Sequence, residues 1–201
     1  MSMSSHAGKT GDSDRKVPEG QSHSTKGGPD GRWSTRRIAI YALFVALTMV
    51  LSYVSIPFPL ASFLKYDPSG IAVLVSGFAF GPAAATIVSI LGFIPHFFSN
   101  PFGALINILV ALALSLPSSL IYKRMRTMKG AVIGILVGAV AALVTAILCN
   151  VVITPLYAHM TFKQVLAMIV PVLLPFNLMK FAINGIVTFL IYKPISVLVN
   201  R

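Results

Sequence analysis

From residue 36 onward the chain is a succession of apolar runs broken by short polar or proline-bearing stretches. About 20 apolar residues span a ~30 Å hydrocarbon core, and on that rule the runs divide into six helices. The first extends from about Arg36 to Ile56 and stops at Pro57 and Pro59. A second opens at Asp67-Pro68, where a capping acid precedes a proline preset for the first helical turn, and reaches Phe80. Gly81-Pro82 breaks the chain, and a third helix continues from Pro82 to about Phe97. The fourth covers about Pro101 to Tyr122, with Pro117 expected to kink it; the fifth covers Gly130 to Ile153. The sixth begins near Pro175 and ends at Tyr192. The second and third are too short to span comfortably, which suits helices buried in protein or bordering a cavity. Between the fifth and sixth, Thr154–Val170 is apolar enough for a short helix, either a lid over the bundle mouth or an interfacial helix.

Residues 1–35 break the pattern. They are rich in Ser, Gly, Lys and Asp, cannot bury enough apolar surface to fold, and are expected to be a disordered polar tail. The expected organisation is therefore a tail over 1–35 and a six-helix transmembrane domain over 36–201.

Composition agrees with a membrane protein. Hydrophobic residues make up 56% of the chain, charged residues 10%, and mean hydropathy is +0.83. So few charges cannot dress a soluble surface. Charge then sets the orientation. Arg32, Arg36 and Arg37 precede the first helix, Lys123, Arg124, Arg126 and Lys129 fill the fourth connection, and Lys193 and Arg201 follow the sixth helix. Against these, only Lys65 and Lys163 fall on the opposite side of a six-span bundle. The positive-inside rule places both termini in the cytoplasm of a prokaryotic cell. Basic residues set between apolar runs read as topology signals and head-group contacts, which argues against nucleic acid as the partner of a chain with net charge +11.

Small residues mark close helix approach. In the fifth helix Gly130, Gly134, Gly138, Ala142 and Ala146 recur every fourth position, a stripe that suits internal packing. Ala42 and Ala46 repeat the spacing in the first helix, with Ala39 one residue off it, and offer a face to another protein.

Polar residues at membrane depth carry the candidate chemistry. Asn177, Lys180, Asn184 and Thr188 form one stripe on the sixth helix, and lipid would penalise it, so it faces inward. Lys180 lies near a helix N-terminus, where the dipole disfavours a cation. Its acceptor is Asp67, a backbone carbonyl, or a ligand oxygen. Asn150, Asn107, Tyr41 and Tyr66 are further polar groups, and Phe93, Phe176 and Phe181 are available to stack on a flat ring. Such a set suits a neutral, multiply hydrogen-bonding solute with apolar surface. No Gly-rich phosphate loop is present, His96 and His159 lack metal-ligand spacing, and no catalytic residue or metal site is assigned.

Two stretches resemble a known family. Leu64-Lys65-Tyr66-Asp67-Pro68-Ser69-Gly70-Ile71, followed by Gly77-Phe78-Ala79-Phe80-Gly81-Pro82, looks like the loop and second helix of riboflavin-specific S components of energy-coupling factor (ECF) transporters. Leu174-Pro175-Phe176-Asn177-Leu178-Met179-Lys180 resembles their sixth-helix motif. The resemblance implies a six-helix, wholly α-helical bundle that captures a vitamin from outside, with riboflavin as transported ligand and no bound cofactor. It implies that Asn177 and Lys180 bond the substrate, with Asn150 as fifth-helix partner. It also implies a coupling subunit docked on Ala42 and Ala46, and two ATPase subunits behind it. Another vitamin or flavin analogue is the alternative cargo, and a purely structural membrane protein the alternative class. Gly70 stands where the family commonly has a second acid, and Ala104-Leu105-Ile106-Asn107-Ile108 replaces the usual Ala-Asn-Phe pattern.

Overall fold

The computed structural model describes residues 34–199; residues 1–33 of the expected tail, Asn200 and Arg201 lie outside them. Seven α-helices and one β-hairpin follow in order: α1 Thr35–Tyr53, β1 Ile56–Phe58, β2 Ala61–Tyr66, α2 Ser69–Phe80, α3 Pro82–Leu91, α4 Pro101–Met125, α5 Met128–Tyr157, α6 Phe162–Ala167 and α7 Leu174–Val199. A 3-10 turn over Ile94–Phe98 joins α3 to α4, and a π-helical turn over Ile169–Leu173 leads into α7. Among the described residues, α1, α4, α5 and the stretch Ile169–Ile191 are long and apolar enough to cross a membrane.

The hairpin corrects the wholly α-helical expectation. The first helix ends at Tyr53, short of the expected Ile56, and the chain after it is strand rather than irregular connection. Ile56 pairs with Tyr66 and Pro57 with Lys65, antiparallel, with a register shift before Phe58 meets Ala61. Pro57 is tolerated because β1 has a free edge, where a missing N–H costs no ladder bond, and Pro59 lies in the turn. A lone two-stranded hairpin is marginal in water. Here Ala61 and Leu64 bury themselves against Val165, Val172, Leu173 and Phe176, and this apolar cluster holds the hairpin down.

α2 and α3 are the short helices. α2 is central: nine of its residues, Ser69 and Gly70 and all of Ala72 to Phe78, are buried, and it packs against α1, α3, α4 and α7. Its 12 residues need not span lipid, because neighbouring helices surround it. The glycine of the Gly81-Pro82 break sits at φ +88°, a backbone position that favours glycine, and Pro82 starts α3.

The small-residue stripe on α5 is internal. Gly130, Gly134, Gly138, Ala142 and Ala146 are all buried, and a Cβ on Gly134 would stand 2.7 Å from the Ser118 carbonyl oxygen of α4. Lipid gives helices no hydrophobic reason to associate, so close backbone approach and hydrogen bonds replace it. Ser118 supplies such bonds: its Oγ lies 2.6 Å from the Leu114 carbonyl and 2.9 Å from that of Gly134, tying α4 to α5.

The short helix expected between the fifth and sixth spans is α6. Thr161 caps it in a reciprocal box with Gln164, each side chain satisfying the other's backbone N–H. Through Val165 it backs the hairpin.

Candidate functional site

A cavity of about 480 Å³ opens between the hairpin, the 3-10 turn and α1, α4, α5 and α7. Its size falls in the range of small-molecule sites. Leu64, Lys65 and Asp67 from the hairpin and its exit cover it, so the hairpin provides the lid. None of α6 lines the cavity.

Asp67 and Lys180 meet here. Lys180 Nζ lies 2.9 Å from Asp67 Oδ2, with the side chains 13% and 8% exposed. The other oxygen, Asp67 Oδ1, accepts bonds from the Ser69 backbone N–H at 3.3 Å and from the Ser69 hydroxyl. Asp67 therefore fastens the start of α2 and neutralises the Lys180 cation. Each side chain of the pair also lines the cavity. The ion pair, one of the alternatives open in the sequence, thus lies in the cavity wall.

Asn150, Asn177 and Asn107 line the same cavity. Asn150 Nδ2 donates to the Ala146 carbonyl at 2.7 Å, and its Oδ1 accepts from Thr154 Oγ1 at 3.0 Å. Asn177 Nδ2 donates to the Leu173 carbonyl at 2.8 Å. Each amide is thereby oriented by its own helix and keeps unused hydrogen-bonding capacity.

Tyr66 and Asn184 do not line the cavity. They bond to each other, Tyr66 hydroxyl to Asn184 Oδ1 at 3.1 Å, and pin the end of β2 to α7 beside the ion pair. Burial first, then the Asp67 carboxylate, pushes the Tyr66 phenol above its ordinary pKa, so it remains a donor. Asn184 fits so closely under α2 that a Cβ on Gly70 would collide with its amide. That contact leaves little room for a side chain at Gly70. Tyr41 is also remote: it is buried on α1, accepts from Arg37 Nε at 3.0 Å and meets the Phe80 ring edge-on.

Of the aromatics, Phe176 lines the cavity, while Phe93 and Phe181 belong to separate apolar clusters. Ser52, Tyr53, Ser55, His96, Ser99, Asn100 and Tyr157 line it too, and sequence reasoning missed them. On the outer face of α1, Ala39, Ala42 and Ala46 are exposed together with Leu43 and Val50.

A bundle of apolar helices closed over a polar, hairpin-capped cavity defines a membrane protein that holds a small solute. The model for the substrate-specific component of ECF transporters matches residues 36–192, and the chain belongs to that family. It is 29% identical to the riboflavin transporter RibU of Staphylococcus aureus (strain TCH60), over 83% of this chain and 93% of that protein. It is 27% identical to the riboflavin transporter FmnP of Bacillus subtilis (strain 168), over 78% and 90%. Among solved structures, the S component of a bacterial ECF transporter shares the fold with TM-score 0.72 at 24% identity, covering 83% of this chain and 98% of that one. ThiT from Listeria monocytogenes follows with TM-score 0.57 at 21% identity, over 82% and 95%.

Proposed function

We propose that this protein captures riboflavin at the outer face of a prokaryotic plasma membrane and delivers it through an ATP-driven coupling module. The observation that carries the reading is the convergence of Lys180, Asp67, Asn150 and Asn177 on one cavity of about 480 Å³. Riboflavin joins a flat tricyclic ring, bearing an imide edge of two carbonyls and one N–H, to an uncharged polyol chain. An ammonium and amide donors suit the carbonyls, amide oxygens suit the N–H, and Phe176 offers an apolar wall. The names of the relatives point the same way.

In this reading α2 and α3 complete six crossings, both termini are cytoplasmic, and the hairpin faces outward. The bound vitamin is cargo, and no resident cofactor is required. A transmembrane coupling subunit docks on the face of Ala39, Ala42 and Ala46, with two ATPase subunits behind it. Ala46→Leu accordingly leaves flavin binding unchanged and lowers cellular uptake severalfold, because added bulk blocks close helix approach. Uptake at the wild-type rate would remove α1 as the docking face.

The deciding experiment is the visible absorption spectrum of the purified protein, followed by fluorescence titration with riboflavin. A co-purifying flavin, or saturable quenching of added riboflavin, is the expected result. A colourless, unresponsive protein would shift the assignment to another vitamin.

A further inference from the structure

We propose that the His96–Ser52 pair forms a second pole of the cavity and binds the hydroxyl-bearing chain of the flavin. The inference rests on the flavin reading and deepens it. Two polar walls meet α4: one from α5, α7 and the exit of β2, carrying the ion pair, and one from α1 and the 3-10 turn. Apolar Ala104, Ile106 and Val110 of α4 also line the cavity.

The second wall is built. Ser52, buried near the end of α1, donates its single hydroxyl proton to the Met49 carbonyl at 2.7 Å. His96 Nε2 lies 2.7 Å from Ser52 Oγ, so the two side chains share a hydrogen bond. His96 Nδ1 has no hydrogen-bond partner among the described residues and is left for a ligand. Tyr53 stacks on the same ring at 4.6 Å, and buried Phe93 stands 6.3 Å from it. Gly92 lets the 3-10 turn approach α1 closely enough for this, since a Cβ there would meet Thr48 Cγ2 at 2.5 Å. Position and plane of the His96 ring are thus set before any ligand arrives, which lowers the cost of binding.

The remaining groups on this wall are neutral. Asn100 Oδ1 is committed to the Gly103 N–H, at 2.9 Å, which leaves its amide N–H groups as donors. Ser55 adds a hydroxyl. A ring nitrogen beside amide and hydroxyl groups complements a chain of alcohols, each of which both donates and accepts. The ionic wall is the better complement of the ring's imide edge.

The test compares riboflavin with lumiflavin, which keeps the ring and replaces the polyol with a methyl group. Both are titrated by fluorescence quenching against the purified full chain, as wild type, His96→Ala and Ser52→Ala. Wild type binds riboflavin more tightly; each variant weakens riboflavin about tenfold and shifts lumiflavin by less than about twofold. Lumiflavin binding also reports that a variant is folded, and Ser52→Ala, the smaller change, carries the comparison if His96→Ala does not fold. Equal losses for both ligands, or none for either, overturn the proposal, as does a wild type that holds the two equally. A wild type that binds neither flavin defeats the function reading itself, and this inference with it.

Discussion

Lys180→Ala weakens riboflavin binding by about 1–3 kcal/mol, because ligand and protein groups that it bonds are left buried and unpaired. The same substitution lowers stability by about 3–5 kcal/mol, since Asp67 becomes a buried charge with no counter-ion. The two effects separate in the double variant Lys180→Met with Asp67→Asn. Neutralising both partners removes the uncompensated charge, and thermal stability returns close to wild type. Binding does not return, because methionine offers no donor to a flavin carbonyl. Titration and melting of the same preparations check both halves. Wild-type affinity in Lys180→Ala would reduce the ion pair to a structural role, and loss of stability alone would do the same.

Gly138→Val abolishes the folded protein. A Cβ on Gly138 would overlap the Leu114 carbonyl, which is backbone, and the Ser118 hydroxyl, which is held by hydrogen bonds. Such an overlap cannot be relieved by a rotamer change. Overpacking a core typically costs about 1–3 kcal/mol, and a collision with backbone exceeds that range. Gly138→Ala already lowers the melting temperature measurably, and Gly138→Val leaves no monodisperse peak on size exclusion in detergent. Ala139→Val, one residue on and only partly buried, serves as the control and keeps its peak. A stable Gly138→Val protein would mean that α4 and α5 do not pack at the distance described.

The helices were legible because lipid demands long apolar runs, and the inward stripe of Asn177, Lys180, Asn184 and Thr188 because lipid penalises its exposure. Burial of Asn177, Asn184 and Thr188 bears that out. The hairpin was not legible. Two prolines in eleven residues look like a connection, and the pairing of Ile56 with Tyr66 depends on an apolar cluster supplied by α6 and the turn before α7. Nor was the sharing of roles between Lys180 and Asn184 visible, since one stripe reaches both the cavity and the underside of α2. Ser52 and His96 were missed because lone polar residues at element ends carry no period; they meet across 44 positions through tertiary packing.

The connection between α1 and the lid is short. Only Val54 and Ser55 separate Tyr53, the last residue of α1, from Ile56, the first of β1. Two residues at full extension reach about 7 Å, which leaves little slack between the helix and the strand. At its other end the hairpin runs into Asp67, anchored to α7 and to the start of α2. The lid is therefore strung between an outer helix and a buried one. A tilt of α1 would put tension on β1 while the end of β2 is held.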